Sequence, residues 1–248
     1  MRRKPARRPR LYVEGPLQGG ARLPLTPRAA HHATDVLRLR AGEAMVLFDG
    51  RGGEYDARLV VAAHERFEAE VGALREVERE SPLRVTLVQA VSSGERMDLT
   101  VQKSVELGVA AIQPVLTEKT VVKLDPERAA LKAQHWRRIV ISACEQCGRN
   151  RLPEVFAVAP LADYCRVSPP GARLLLSPVA GRGIRAAAAG IEGEVVLAAG
   201  PEAGFSAEEE ALLVGAGFEP VRLGPRVLRT ETAALAALAA LNALAGDY

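Results

Sequence analysis

The sequence predicts an α/β protein in two parts, a small N-terminal β-barrel and a larger domain built on a mainly parallel sheet. Three observations carry that reading. Between residues 83 and 244, short apolar runs alternate with helical patterns, which is the rhythm of a parallel sheet. Between residues 11 and 75, short alternating runs are separated by glycine-rich turns, which is the rhythm of a small barrel. The two rhythms meet in a charged, aperiodic stretch, Glu76 to Pro82, that ends in a helix-breaking proline. The domains are therefore set at 1–75 and 83–248, with 76–82 as linker.

In the first part, Leu11-Tyr12-Val13 and Met45-Val46-Leu47-Phe48 read as strands. Asp49-Gly50 and Gly52-Gly53 mark a hairpin turn, because glycine reaches the positive φ that tight turns require. Tyr55, Ala57, Leu59 and Val61 alternate with other residues, as do Phe67, Ala69 and Val71, so each set lines one face of a strand. His31 to Leu39 reads as a short helix with Ala33, Val36 and Leu37 on one side.

In the second part, Leu83 to Val91 is a strand rich in β-branched residues. Met97, Val101 and Val105 share a helix face, and Gly108 ends that helix. Ala111 to Leu116 is the next strand. Asp125-Pro126 supplies an N-cap and a first-turn proline for a helix reaching about Cys147. Arg173 to Ser177 and Glu194 to Ala199 are strands, and Ser206 with Glu209 forms a capping box for the helix that follows. A last strand at 220–223 leads through Gly224-Pro225 to the C-terminal helix, for which Thr230 is the expected N-cap and Glu231 the first-turn acid. Leu235, Leu238, Leu241 and Leu244 step around that helix, a wider apolar face than a simple surface helix buries.

Hydrophobic residues make up 48% of the 248, enough for a proper core, while aromatics at 4% argue against an exposed stacking platform for single-stranded nucleic acid. The net charge of +3 is unevenly spread: residues 1–58 hold twelve Lys/Arg against six Asp/Glu. A basic N-terminal part suits a polyanion, and Arg7, Arg8 and Arg10 are its candidate contacts, with His31 and Arg38 beside them. Cys144 and Cys147 form a C-x-x-C, but Cys165, His135 and His64 are scattered, so neither a metal site nor a disulfide framework is expected. The basic start leads into no apolar run of signal-peptide type and no stretch reads as a membrane span, so a cytoplasmic location is expected.

Four polar clusters sit where this layout places strand ends and helix edges: Gln102 to Gly108, Cys144 to Arg151, Ala199 to Phe205, and Leu223 to Ala233. In open α/β sheets, ligands bind at the carboxyl ends of strands. The third cluster, Ala199-Gly200-Pro201-Glu202-Ala203-Gly204-Phe205, follows a strand and precedes a capped helix, yet lacks both the dinucleotide and the P-loop glycine patterns. Glycines without a lysine suit a ligand that lies close to backbone and carries no phosphate, such as an adenosine bearing an amino acid.

The four clusters, in this order and spacing, resemble the motifs of the bacterial 16S rRNA uridine-N3 methyltransferases, members of the SPOUT or trefoil-knot class. The stretch His31 to Leu59 resembles that family's PUA-like RNA-binding domain, so the likeness covers nearly the whole chain. One departure is Ala203, where the family has a second glycine in Gly-Pro-Glu-Gly-Gly; alanine fits there if its φ is negative. The resemblance implies a knotted C-terminal domain, an obligate homodimer, S-adenosylmethionine as cofactor and 16S rRNA of the small ribosomal subunit as partner, with no metal. Carried over residue by residue, the cofactor site comprises Leu176, Ser177, Pro178, Ala199, Gly200, Pro201, Glu202, Gly204, Leu223, Gly224, Val227, Leu228 and Thr230. Arg229 is the candidate for stabilising a uridine anion, and Glu202 or Glu231 is the candidate base. Arg149 and Asn150 are expected to meet RNA.

Two other classes share some of these features. A relative acting on tRNA or on a ribose hydroxyl would keep the C-terminal motifs, and the N-terminal domain weighs against it. A non-catalytic RNA-binding assembly factor would keep the basic part but not need intact cofactor loops, and the presence of Gly200, Glu202 and Arg229 weighs against that.

Overall fold

A computed structural model describes residues 8–62, 66–120, 124–166 and 170–248; Arg7 and His64 lie outside them. The chain divides into two units, one comprising 1–80 with 144–152, the other 81–143 with 153–248.

The first unit holds strands β1 (Arg10–Tyr12), β2 (Arg22–Pro24), β3 (Ala44–Phe48), β4 (Glu54–Val61) and β5 (Phe67–Arg75), with helix α1 (Pro27–His31) between β2 and β3. The strands run in the order β1-β3-β4-β5-β2; β1 and β3 are parallel and the rest antiparallel. The alternation seen in sequence is the burial pattern: Ala57, Leu59, Ala69 and Val71 are buried with Leu11, Met45 and Leu47. Val61 breaks the pattern and is exposed at the strand's end. The helix expected over His31 to Leu39 starts earlier, because Thr26 caps it through Ala29 N and Pro27 opens it. It continues as a π-helical turn over His32–Val36, and Val36 faces solvent, not the core. Leu39 N closes that turn on Ala33 O, and Arg38 between them takes φ 55°.

Residues Cys144–Leu152 group with this unit although they lie more than sixty residues past its other segment. Leu152 N donates to Gly50 O and Gly52 N donates to Asn150 O, so the segment pairs with the β3–β4 turn. Gly50 has φ 82°, and a Cβ there would lie 2.9 Å from Leu152, so the turn needs glycine twice over. The stretch set aside in sequence as linker is fastened here too: Glu78 pairs with Arg151, Glu80 with Arg149, and Arg79 with Glu54.

The second unit contains β6 (Arg84–Ala90), α2 (Gly94–Glu106), β7 (Ala111–Leu116), α3 (Pro126–Cys147, its last turn in the first unit), β8 (Glu154–Val155), β9 (Ala159–Pro160) and α4 (Leu161–Tyr164). Then follow β10 (Ala172–Leu176), β11 (Arg182–Gly183), α5 (Ile184–Ala187), β12 (Glu194–Ala199), α6 (Ala207–Gly215), β13 (Glu219–Arg222) and α7 (Thr230–Ala245). Its strands lie in the order β11-β13-β10-β12-β6-β7-β8, with β9 beside β7, and all described pairings are parallel. Helices cover both faces of such a sheet, which is why Leu87 to Val91 and Val195 to Ala199 are buried in unbroken runs. Met97, Val101 and Val105 are buried as their spacing requires, Gly108 ends α2 at φ 83°, and the capping box at Ser206 and Glu209 is formed in both directions. Chain order reverses at β10, with β12 on one side and β13 on the other, and such a switch point opens a crevice at the carboxyl edge. No helix of the described residues is long and apolar enough to cross a membrane.

Candidate functional site

The crevice is there. The loops that leave β10, β12 and β13 enclose a cavity of about 270 Å³ on the carboxyl edge of these three adjacent strands. Leu176, Ser177 and Pro178 come from the first loop, Ala199, Gly200, Pro201, Glu202 and Gly204 from the second, and Leu223, Gly224, Val227, Leu228 and Thr230 from the third. Every residue carried over to the cofactor site thus lines one cavity. Val179, at the end of the first loop, is instead 86% exposed. Residues outside the carried-over set complete the wall, notably Phe205, Val221 and Ala233.

Glycine is required where backbone turns sharply or something lies close. Gly204 and Gly224 take φ 72° and 99°, which other residues rarely adopt. A Cβ on Gly200 would lie 3.1 Å from Phe205 N and 3.2 Å from its ring. Ala203 is not among the residues with positive φ, so alanine sits there without backbone strain.

Thr230 is not the N-cap of α7. Arg229 holds that position, with extended backbone (φ −65°, ψ 155°) and no side-chain cap bond. Thr230 is the first helical residue, and its hydroxyl is engaged elsewhere: it donates to Gly200 O at 2.5 Å and accepts from Gln89 Nε2 at 3.1 Å. A buried strand glutamine, the helix start and the glycine loop are thereby joined in one relay. Gln89 is fully buried at the end of β6, and periodicity alone could not distinguish it from a tolerated polar residue.

The two candidate bases differ. Glu202 Oε1 accepts from Ser93 N and from Arg96, both at 3.1 Å, so the carboxylate caps α2 from outside. Burial alone would raise its pKa, but the Ser93 amide, its own backbone and Arg96 together hold it below the usual carboxylate range. Glu231 Oε2 is buried with no hydrogen-bond partner among the described residues. The two arginines also separate: Arg226 lines the cavity, whereas Arg229 is exposed at its edge, outside the lining. Lys119, unnoticed in sequence, donates to Phe205 O at 3.2 Å and braces the glycine loop from the β7 side.

Several residues expected to meet RNA are committed elsewhere. Arg10 is 7% exposed, Arg149 4% and Asn150 fully buried. Arg10 pairs with Glu54 and donates to Asn150 Oδ1 and Arg149 O, while Asn150 donates to Val77 O and Arg149 pairs with Glu80. These three form the interior of the N-terminal unit and are not available to a nucleic acid. The charge count reads Arg10 as surface because it cannot see Glu54 folding onto it, and the resemblance that singled out Arg149 and Asn150 does not show Glu80 and Val77 O taking them up. Arg8, Arg38 and His31 do remain at the surface, Arg8 against Asp56 at 2.8 Å and His31 against Asp35 at 3.1 Å. Cys144 is buried, and Cys147 as a hydrogen-bond partner and burial together push its thiol pKa up, which disfavours the reactive thiolate. Among the described residues no three His, Cys, Asp or Glu are grouped to hold a metal.

Comparison with known proteins agrees with this architecture. Residues 79–242 match the RNA methyltransferase domain model, and 25–72 match the PUA domain model of RNA methyltransferases. The ribosomal RNA small subunit methyltransferase E of Buchnera aphidicola (subsp. Schizaphis graminum) is 34% identical over 96% of this chain and 97% of its own length. A Legionella pneumophila protein solved with the bound cofactor SAM superposes with a TM-score of 0.90 at 42% identity, over 98% of this chain and all of that one. A Neisseria gonorrhoeae ribosomal RNA small subunit methyltransferase E bound to S-adenosyl methionine gives 0.88 at 42% identity, over 97% and 99%. With a parallel-sheet cavity joined to a PUA-like unit, and with these relatives along nearly its full length, the chain belongs to the ribosomal RNA small subunit methyltransferase E family.

Proposed function

We propose that this protein transfers a methyl group from S-adenosylmethionine to N3 of a uridine in the decoding region of 16S rRNA, acting on the small ribosomal subunit. The observation that carries this reading is the glycine-walled cavity at the switch point of the parallel sheet. Its residues fit the cofactor. A side chain at Gly200 would press on Phe205, and Gly204 and Gly224 turn the walls. Among the described residues no lysine lines the cavity and Arg226 is its one cation, which suits an adenosine with an amino-acid tail over a phosphate. The bound cofactor supplies a methyl group already activated on a sulfonium.

The chain's own contribution is to hold, orient and manage a proton. Uridine N3 carries a hydrogen at neutral pH and is a poor nucleophile until it leaves. A carboxylate, Glu202 or Glu231, accepts it, and Arg229 at the cavity edge stabilises the anion spreading onto the base oxygens. Alignment of the acceptor with the methyl group supplies much of the remaining acceleration. The PUA-like unit supplies RNA affinity, through surface cations such as Arg8 and Arg38.

The reading includes a knotted chain end and a homodimer in the cytoplasm. In support of the first, the loop after β13 carries the chain past the ends of β10 and β12 to α7, which packs on β12, β6 and α2. In support of the second, Val179 and Val227 at the cavity loops are 86% and 82% exposed, and Leu244 on α7 is 46% exposed. The decisive experiment is mass mapping of modified nucleosides in rRNA from a strain lacking the gene, before and after incubation with the protein and cofactor. Appearance of 3-methyluridine in the decoding region is expected; its absence, or a methyl on ribose, refutes the assignment.

A further inference from the structure

The glycine loop between β12 and α6 is held at three places along its length. Its start is tied by Thr230 to Gly200 O, and its middle by Glu202 to Ser93 N and Arg96. The third place is its exit into α6, which is held from the loop that leaves β7. There Thr117 to Thr120 form a four-residue turn that is closed three times. Thr120 N donates to Thr117 O at 3.1 Å, Thr117 N donates to Thr120 Oγ1 at 2.9 Å, and the two hydroxyls bond at 2.8 Å. A turn so closed presents its two central residues, Glu118 and Lys119, in fixed positions. Lys119 Nζ donates to Phe205 O at 3.2 Å, and Glu118 N donates to Glu209 Oε1 at 2.7 Å.

Glu209 divides its carboxylate between two tasks. Oε2 accepts from Ser206 N at 2.9 Å, which is the return bond of the capping box, while Oε1 reaches across to the β7 loop. A capping box needs only one oxygen, and glutamine serves it as glutamate does. The second oxygen is therefore committed to something other than the start of α6. Phe205, whose carbonyl Lys119 holds, lines the cavity and is the neighbour on which a side chain at Gly200 would press. Lys119 and Glu209 are not among the residues that line the cavity, so they act on its wall only through Phe205 and Ser206.

We propose that the Thr117–Thr120 turn, through Lys119 and Glu209, is a positioning clamp that sets cofactor affinity from outside the cavity. This rests on the cofactor reading above. The clamp orders the exit of the glycine loop before the cofactor arrives, so less ordering is left to be done on binding. Lys119 is exposed and Glu209 half-buried, so each bond contributes modestly and the pair carries the effect.

The test is calorimetric titration of S-adenosylmethionine into wild type, Lys119→Met, Glu209→Gln and the double variant, with hydrogen exchange of the loop amides in parallel. Lys119→Met keeps the stem and removes the donor. Glu209→Gln keeps an oxygen for the cap and turns the other into an amide nitrogen, which cannot accept from Glu118 N. Each single substitution should weaken cofactor binding about threefold and the pair about tenfold, the scale of net hydrogen bonds at partly exposed sites. Lys119→Arg should bind within about twofold of wild type, because it restores a donor of the same charge. Without cofactor, amides from Ala203 to Ser206 should exchange faster in the double variant, and saturating cofactor should return them to the wild-type rate. Single-turnover methylation of small subunits should be slowed at low cofactor and recover as cofactor is raised. Double-variant affinity within twofold of wild type, Lys119→Arg no better than Lys119→Met, or faster exchange spread over the whole sheet each overturns the clamp. If wild type itself binds no cofactor, the cofactor reading has failed; if wild type binds it and the double variant binds equally well, only the clamp has.

Discussion

The two units of this chain bury polar groups differently. In the N-terminal unit the buried charges are paired: Arg10 sits against Glu54, Asn150 and the Phe48 ring, and Arg149 against Glu80. They fasten residues 144–152 to a sheet from which they are distant in sequence. In the C-terminal unit the sheet interior is mostly apolar, and the polar atoms buried without a hydrogen-bond partner among the described residues include Gln89 Oε1 and Ser92 Oγ at the end of β6 and Asp98 Oδ1 and Trp136 Nε1 on the helices. The buried ion pairs of the first unit mark assembly. A count of charged residues along the sequence cannot tell the buried Arg10 from the exposed Arg8.

The largest effect should come from breaking the first kind. Glu54→Ala leaves Arg10 without its buried carboxylate and takes a partner from Arg75 and Arg79, at a cost of about 3–5 kcal/mol. Denaturant unfolding should show the loss, while cofactor affinity measured below the transition stays unchanged. The same group gives a pH signature. Burial raises the Glu54 pKa, but Arg10, Arg75 and Arg79 outweigh it, so the net value lies below the ordinary 4.5. A depressed carboxylate contributes stability above its unfolded pKa and loses it as pH falls through the folded one. Acid unfolding of wild type should therefore steepen below about pH 4.5, and Glu54→Gln should flatten that limb. Equal acid sensitivity in both would show that the network is not the cause.

Next in size is the separation of the two loop arginines. Arg229→Ala should lower methyl transfer about 10²-fold or more, the scale of one lost anion-stabilising donor, with little change in cofactor binding. Arg229→Lys should rescue only part of it, because an ammonium lacks the planar fork. Arg226 lines the cavity itself, so Arg226→Ala should act mainly on cofactor affinity. Single-turnover rates at saturating cofactor, set beside calorimetric affinities, separate the two; the reverse pattern would exchange their roles.

A smaller effect is expected from the relay. Thr230→Val keeps the shape but removes the bonds to Gly200 O and from Gln89, loosening the glycine loop against α7. Losing a buried bond of this kind costs about 1–3 kcal/mol, and if about 1.4 kcal/mol of that reaches the bound state, cofactor affinity falls about tenfold. Unchanged affinity would mean that the loop is held without the relay, by Phe205 and Lys119.

Much of this was legible in the residues themselves. The strand and helix rhythm of 83–244 is set by local periodicity and local caps, so Met97, Val101, Val105, Gly108 and Ser206 fell where expected. The two glycine-bearing cavity loops, Ala199 to Phe205 and Leu223 to Ala233, were legible for the same reason, whereas the loop at Leu176 to Pro178 was reached only through the family resemblance. The segment 144–152 was not. Its place depends on pairing with Gly50, Val77 and Glu80, and no window of sequence holds both sides of such a contact. Strands as short as β8, β9 and β11 carry too few residues for any period to show. At Thr230 the reading missed because a threonine before an acidic residue fits an N-cap as well as a tertiary hydrogen bond, and the choice depends on Gly200 and Gln89.

The smallest effect sharpens the comparison most directly. Arg8 and Arg10 are two residues apart in the same basic stretch, yet one is an exposed partner of Asp56 and the other is buried against Glu54. Arg8→Gln removes a surface pair whose members are 53% and 42% exposed, so stability should change by less than about 1 kcal/mol. If Arg8 meets a phosphate of the RNA, fewer counterions are released on binding, and the slope of log affinity against log salt should flatten by about 0.7 to 0.9. Arg10→Gln should do the reverse, lowering the unfolding midpoint without a counterion signature of its own. Titrating small-subunit RNA at several salt concentrations, with denaturation curves for both variants, reads both quantities. A slope unchanged in Arg8→Gln would make that side chain solvated decoration, and the RNA contact would then have to come from other exposed cations such as Arg38, whose backbone is held at φ 55°.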